Sequence, residues 1–376
     1  MSTKNILVVR LGGIGDVVII TPSLKALRKI YPQSRISLMT NHYSAEIVQG
    51  SPWVDEVITF TDLFSSQKLS DFIKPKILKQ FYELINLMLK RRFDIYICFH
   101  SLIQWSALIK PLFLAILSRA TLRVGFDTFN RGFFFNIKTK DGHDKHLMYR
   151  CLDAVRQLSV RTGNTTILVD EKYNILPEIW LHNEDLQYAE DFFTKNIKPN
   201  DFIIGIHPGG NPRYSSSKCW HLERYVQLIN SIQDKYGARI LLTGGKTDQP
   251  ILDRIIPLLK ETPLLLPDVS IKQLSAIIKR CNIFISNDTG PMHLAVAMKV
   301  QTIGIFGGGE YQMYGTYPPK SGFIGIKKDI SCYPCYHKIK SCNHKCLDEI
   351  TIEEVLQAVE TQIKRLKINP LRNTVK

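Results

Sequence analysis

This sequence has no long uninterrupted hydrophobic run, and its acidic residues are few beside its basic ones. The most apolar later stretch, Leu112–Leu117 with Leu102–Ile109 before it, is broken by Lys110-Pro111 and falls short of a membrane span. It reads as a buried helix, with contact to a membrane surface as the alternative. No secretory signal opens the chain, since Met1–Asn5 leads straight into Ile6–Val9, too short for a signal core, and Arg10 follows. The expectation is a protein that folds in the cytoplasm. Two nucleotide signatures are missing as well. No Gly-Lys-Ser/Thr stands in the frame of a Walker loop, and Gly12-Gly13-Ile14-Gly15 lacks the full dinucleotide fingerprint with its distant acid, which disfavours an NAD site. With 376 residues, 44% of them apolar, and only 22 Gly and 18 Pro, the disordered, collagenous and disulfide-framework classes are excluded. The length suggests two domains, each with material for a large core.

What is present in excess is positive charge. The 49 Lys and Arg stand against 34 Asp and Glu, a net +15 that predicts attraction to nucleic acid, anionic lipid or a phosphorylated substrate. Residues 61–160 alone carry 16 cations against 8 acids, so a basic face belongs to the first half.

The chain opens with a short β-branched run (Ile6–Val9), a Gly-rich turn (Gly12–Asp16) and a helical stripe through Leu24, Leu27 and Ile30. That order begins a doubly wound α/β unit. Further strand candidates are Ile36–Met39, Glu56–Thr59, Asp94–Phe99 and Leu122–Gly125, spaced as in a parallel sheet. After a mixed stretch at about 160–200 the pattern restarts. Phe202–Ile206, Arg239–Thr243, Asn282–Ser286 and Gln301–Phe306 read as strands, and Trp220–Tyr236, a segment from about Gln249 and one ending near Met298 read as helices. The simplest account is two Rossmann-like halves, residues 1–180 and 181–350. A last helix and tail, 351–376, could pack on either half, including back on the first. Ligands in such sheets bind beyond the carboxyl ends of strands, here the loops at 11–16, 207–219, 244–248 and 287–290.

Each loop carries two readings. In the first, backbone N–H groups lie near a helix start beside one carboxylate, Asp16, which either serves chemistry or simply caps the helix. In Ser286–His293, Asp288 or Thr289 can cap, Pro291 suits the first helical turn, and free N–H groups make an anion site fit for a diphosphate. The alternative is an ordinary capped helix with a half-buried His293. In His207–Trp220, Gly209 and Gly210 allow backbone amides to approach phosphate oxygens, and Lys218 offers a compact positive charge for a leaving diphosphate. Alone, Lys218 reads as a solvated surface cation. Of the 8 cysteines, four are scattered (Cys98, Cys151, Cys219, Cys281). Four cluster as Cys332-x2-Cys335-x6-Cys342-x3-Cys346 around His337 and His344, a spacing that favours a tetrahedral metal site over reduced thiols or disulfides and does not separate zinc from iron.

Taken together, these segments resemble the lipopolysaccharide heptosyltransferases of glycosyltransferase family nine. The resemblance rests on Arg10–Asp16 with Thr21-Pro22, on His207–Gly210 with Lys218–Trp220, on Gly244-Gly245 with Asp248, and on Asp288–Ala295. It implies a GT-B fold of two facing Rossmann-like domains with the site in the cleft, the first binding acceptor and the second the nucleotide sugar. It also implies inverting transfer of heptose from ADP-heptose to a lipopolysaccharide inner-core acceptor. Asp16 would be the general base, with Gly12, Gly13 and Gly15 in the acceptor loop. Lys218 and the helix start at Thr289-Gly290 would stabilise the departing ADP. Gly209, Gly210 and Asp248 would hold the donor near its nucleoside and phosphates, and Asp288 with His293 would lie near the sugar or diphosphate. No catalytic divalent metal is implied. The cysteine cluster would be structural, holding zinc or iron, with His337 and His344 as bystanders. His221 departs from the proline often found there, and the 211–217 insertion is unusual.

The expected partners are a nucleotide-sugar donor, a phosphorylated glycolipid and the anionic inner face of the inner membrane, where the protein would sit peripherally, without nucleic acid. A runner-up keeps the chemistry and moves it to a protein hydroxyl or another surface glycan. Two other classes are a nucleic-acid-binding protein with a zinc module, for which no reader motif is present, and a nucleotide-sugar epimerase on the same fold, which would need no acceptor.

Overall fold

The structure is a computed structural model that describes residues 3–60, 74–142, 144–164, 175–210, 218–333 and 344–368. The chain divides into two units, Met1–Trp180 and Leu181–Lys376.

The first unit runs β1 (Asn5–Val9), α1 (Ile14–Ile30), β2 (Arg35–Thr40), β3 (Glu56–Thr59), α2 (Pro75–Lys90), β4 (Ile95–Cys98), α3 (Trp105–Ser118), β5 (Leu122–Asp127), β6 (Ile137–Lys140) and α4 (Leu147–Arg161). Its strands pair in parallel in the order β3-β2-β1-β4-β5-β6, with Val8 between Leu38 and Ile97. Ile6–Val9 are fully buried because β1 is central and the sheet is covered on both faces, which is why this strand reads as an unbroken apolar run.

The second unit runs α5 (Asn183–Asn196), β7 (Ile203–His207), α6 (Leu222–Tyr236), β8 (Arg239–Leu242), α7 (Gln249–Ile255), β9 (Leu264–Leu265), α8 (Ile271–Ile278), β10 (Ile283–Asn287), α9 (Gly290–Ala297), β11 (Gln301–Ile305), β12 (Ile324–Ile326) and α10 (Ile352–Leu366). The sheet order β12-β11-β10-β7-β8-β9 repeats that of the first unit. In both, the first strand of the unit lies beside the fourth, and chain direction across the sheet reverses there. This topological switch point opens a crevice at the carboxyl ends of β1 and β4 in one unit, and of β7 and β10 in the other.

Helix α10 packs within the second unit, burying Val355, Val359 and Ile363 in one core with Ile204, Ile285 and Ile303. Its start is a reciprocal cap: Thr351 Oγ1 accepts from Glu354 N at 3.3 Å while Glu354 Oε2 accepts from Thr351 N at 2.9 Å. Trp220 Nε1 and the Arg224 guanidinium donate to backbone carbonyls at 347–350 and tie this segment to α6.

Several elements were not named from the sequence pattern, among them β6, β9, β12 and α5. In β6, two lysines alternate with Ile137 and Thr139; β9 has two residues; β12 is interrupted by Gly325; and α5 buries only Ala189 and Phe193. One expectation needs correction. The apolar stretch at 102–117 is not a fully buried helix: α3 buries Leu108, Leu114 and Ala115, but Trp105, Ile109 and Ile116 are exposed. Among the described residues no helix is long and apolar enough to cross a membrane. The insertion at 211–217 lies outside the described residues.

Candidate active site

At the first switch point the chain leaves β1 through Arg10 and enters α1 at Gly13, the residue just before the helix. Asp16, in the first turn, accepts a hydrogen bond from Gly13 N at 2.7 Å through Oδ2, so the capping role is real. Its other oxygen pairs with Arg10, whose guanidinium is buried and also donates to the Phe99 carbonyl at the end of β4. Arg10 therefore bridges the two strands of the switch point and fixes the carboxylate over it. The Asp16 side chain keeps 25% exposure against 7% for Arg10, which leaves its remaining lone pairs open to a ligand. Burial raises the pKa of the Asp16 carboxyl, but the charge and hydrogen bond of Arg10, the Gly13 N–H and His100 outweigh it and hold the carboxyl below its ordinary value.

His100, two residues beyond the end of β4, accepts from Leu11 N at 2.7 Å on Nε2. Burial and the Arg10 charge push its pKa down to about 3, so the ring is neutral and carries its proton on Nδ1. Gly12 must be glycine, since a Cβ there would overlap the Asp16 carboxylate; Gly13 meets no such obstacle. The Gly12 carbonyl accepts from Asn41 Nδ2 at 2.9 Å and Ser44 Oγ at 3.0 Å, which sets the loop against the end of β2.

Thr21-Pro22, which belongs to the same motif, does structural work. Pro22 has no N–H for the Val18 carbonyl, and the Thr21 hydroxyl takes its place at 2.7 Å. That same oxygen accepts from Glu178 N at 3.0 Å, and Lys25 pairs with the Glu178 carboxylate at 2.7 Å, so the end of the unit is pinned to α1.

At the second switch point Asn287 closes β10 and is fully satisfied. Its Oδ1 accepts from Trp220 N and Tyr225 Oη, and its Nδ2 donates to the carbonyls of Pro208 and Gly209, all within 3.1 Å. This side chain holds the loop after β7 and the start of α6 beside the α9 start. Lys218 is not a solvated surface cation: Nζ lies 2.7 Å from Asp288 Oδ2, with side-chain exposures of 14% and 4%. His293 is buried rather than half-buried. Its Nδ1 meets Tyr317 Oη at 2.7 Å, and its Nε2 lies 3.9 Å from the other Asp288 oxygen. Asp288 thus sits between Lys218 and the His293–Tyr317 pair. Thr289 and Gly290, at the open start of α9, are partly exposed.

Asp248 is more withdrawn. It is buried before α7, accepts from Gly245 N at 2.9 Å, and lies where a Cβ on Gly209 would fall. It supports the loop from beneath. Burial lowers the pKa of the neighbouring His207 imidazole despite the opposing Asp248 charge, and the ring donates from Nδ1 to the Thr243 carbonyl at 3.0 Å. Burial, with Asp248 adding to it and Lys218 opposing, pushes the Cys219 thiol up to about 11.

Two residues, His100 and Gly309, had escaped notice, and Arg10 had been read only as the opening of its motif, with no role assigned. Arg10 and His100 flank Asp16; the only signal of His100 was a polar residue near a strand end. Gly309, after β11, abuts Asp288 and Lys218, and a Cβ there would lie 2.7 Å from Asp288 Oδ2. Its signal was the Gly307-Gly308-Gly309 run following a strand. Of the cysteine cluster, Cys332 is exposed and Cys346 is buried in the core, while Cys335, Cys342 and His337 lie outside the described residues. Among the described residues no three His, Cys, Asp or Glu side chains are grouped to hold a metal.

Comparison with known proteins places this chain in a family. The model of glycosyltransferase family 9 (heptosyltransferase) matches residues 82–346, more than two thirds of the chain, beginning after the Asp16 loop. Lipooligosaccharide heptosyltransferase 2 of Campylobacter jejuni is 29% identical over 187 residues; the match covers 48% of this chain and only 56% of that protein's length. A crystal structure of a family 9 glycosyl transferase from Veillonella parvula superposes with a TM-score of 0.77 at 22% identity, covering 97% of this chain and 98% of that one. The structure of the E. coli ADP-heptose lps heptosyltransferase II gives 0.71 at 17% identity, with 97% and 100% covered. At these identities the superpositions establish a shared GT-B-like α/β fold, and the matched residues establish that this chain belongs to glycosyltransferase family 9, the heptosyltransferase family.

Proposed function

We propose that the protein is an inverting glycosyltransferase that moves heptose from ADP-heptose to a phosphorylated inner-core glycolipid at the cytoplasmic face of a membrane. The reading assigns acceptor activation to the first unit and donor binding to the second. The observation that carries it is the Lys218–Asp288 pair at a sheet switch point, beside the open start of α9.

In the proposed step an acceptor hydroxyl oxygen attacks the anomeric carbon from the face opposite the ADP. As that bond forms, the bond to the diphosphate oxygen breaks and its electron pair leaves with ADP. The hydroxyl proton passes to Asp16, ionised throughout the neutral range because Arg10 holds its pKa down. Growing charge on the diphosphate is met by Lys218 and by the N–H groups of the α9 start, a stabilisation that needs no divalent metal. Gly209 and Gly210 bring backbone close to the donor, Asp288 orients Lys218, and His293 with Tyr317 positions Asp288. Asp248 acts one layer back, on the Gly209 loop. Support for the donor comes from family membership and from the likeness to the E. coli ADP-heptose lps heptosyltransferase II.

Thermal-shift and calorimetric titration with ADP, UDP, GDP, CDP and ADP-heptose tests this. Selective stabilisation by ADP and ADP-heptose is expected. Preference for another nucleotide overturns the heptose donor, and absence of nucleotide binding overturns the transfer reading. The cysteine cluster belongs to the same proposal as a structural zinc or iron site. Cys335→Ser is expected to lower metal content and stability together; wild-type protein that is equally stable without metal removes the site.

A further inference from the structure

Helix α3 presents to solvent a face that a surface helix ordinarily makes polar. Trp105, Ile109, Leu112, Phe113 and Ile116 fall at i, i+4, i+7, i+8 and i+11, a single stripe whose flanks, Leu112 and Phe113, are half-buried against the core. Trp105, Ile109 and Ile116 are each about two thirds exposed, and Lys110 is the only charged residue in the helix. The patch continues onto α2, where Phe81 stacks on Phe113 with ring centroids 5.5 Å apart and Leu78 and Tyr82 are exposed. At the other end Phe129 is 69% exposed and adopts φ +49°, followed by Asn130 at +59°. A left-handed backbone at a bulky aromatic is costly, and here it turns the ring outward. Arg131 lies between the two aromatic ends, 5.1 Å from the Trp105 ring and 5.4 Å from that of Phe129.

Charge selects the occupant. Residues 74–119 carry 8 Lys and Arg against 2 acids, with Lys79 and Lys90 exposed on α2. A second copy seated on the same face would bring like charges together, whereas an anionic lipid surface complements them. Aromatic rings beside cations, around an aliphatic stripe, also match the zone between headgroups and acyl chains. At 14 residues α3 is about 21 Å long, suited to lying in that plane rather than crossing it.

We propose that the outward face of α3, flanked by α2 and the Phe129 turn, docks the protein on an anionic lipid bilayer. The inference rests on the proposed function only in supplying a lipid-linked acceptor as its purpose.

The test is co-sedimentation of the full chain with phosphatidylcholine vesicles, with and without phosphatidylglycerol. Binding is expected to require phosphatidylglycerol and to weaken with salt. Ile109→Ser combined with Ile116→Ser is expected to weaken it about tenfold or more, and Lys79→Glu at least about fivefold. Tryptophan emission is expected to shift to the blue on binding, and Trp105→Phe to lose that shift. Circular dichroism melts matching wild type check that these exposed substitutions leave the fold intact. The proposal is overturned by absence of sedimentation with phosphatidylglycerol vesicles, or by equal sedimentation of the double variant. It is also overturned by a dimer that the double variant dissolves in a chain that binds no lipid. Transfer to a detergent-solubilised acceptor is expected to survive in the double variant, so docking and transfer fail separately.

Discussion

The two units build the same switch point and fill it in opposite senses. In the first, a buried cation, Arg10, holds an acid, Asp16, that keeps a quarter of its surface exposed. In the second, a buried acid, Asp288, holds a cation, Lys218, which is the more exposed of the two. In each pair the inner charge neutralises and orients, and the outer one is presented. A carboxylate presented this way suits proton removal; an ammonium suits a departing diphosphate. One topology thus presents a carboxylate in one unit and an ammonium in the other, through exchange of which sign lies deeper.

The largest effect that would break this comparison is at Asp16. Asp16→Asn is expected to lower kcat/KM by about 10³, within the range of lost general-base catalysis, while calorimetry shows ADP affinity essentially unchanged. An active variant removes Asp16 as base. Lys218→Ala is expected to lower kcat by about 10² and to weaken ADP binding as well; unchanged kinetics would reduce the Lys218–Asp288 pair to a structural contact.

A subtler test separates holder from presenter. Arg10→Met removes the main lowering influence on Asp16 and leaves the raising effect of burial, so the acid limb of the pH–rate profile is expected to move to higher pH. The linked stability has the sign of a depressed acid. It is full above the unfolded value, near 3.9, and lost as pH falls through the lower folded one. Denaturant melts below pH 5 are expected to show wild type losing this contribution and Arg10→Met lacking it; an unmoved acid limb would show that Arg10 does not tune the carboxylate. The smallest effect is expected at Tyr317→Phe, which deletes the 2.7 Å partner of His293. A loss of about 1 kcal/mol in stability with little change in kcat identifies His293 as a positioning residue; a loss of kcat comparable to that of Lys218→Ala would bring it to the reaction itself.

Most of the sheet framework was legible. Ile6–Val9, Ile36–Met39, Phe202–Ile206 and Gln301–Phe306 announce themselves because strands buried on both faces must be apolar throughout. Edge strands such as Ile137–Lys140 did not, since half their residues face water and the apolar signal thins out. The site was legible in its glycines and in Asp16, Lys218 and Asp288, each beside a strand end. It was not legible in His100 or Gly309, nor in the pairing of Arg10 with Asp16, because their importance lies in what they touch.

By itself the sequence determined which segments become the central strands, where the loops after them open and which charged residues stand on those loops, because burial and turn chemistry act locally along the chain. Only the tertiary structure decided that Asp16 is held by Arg10 and Lys218 by Asp288, and that the apolar stripe of α3 faces outward. Those outcomes depend on pairings between residues as far as 70 positions apart, and on which side of a helix the sheet happens to cover, neither of which is written in local spacing.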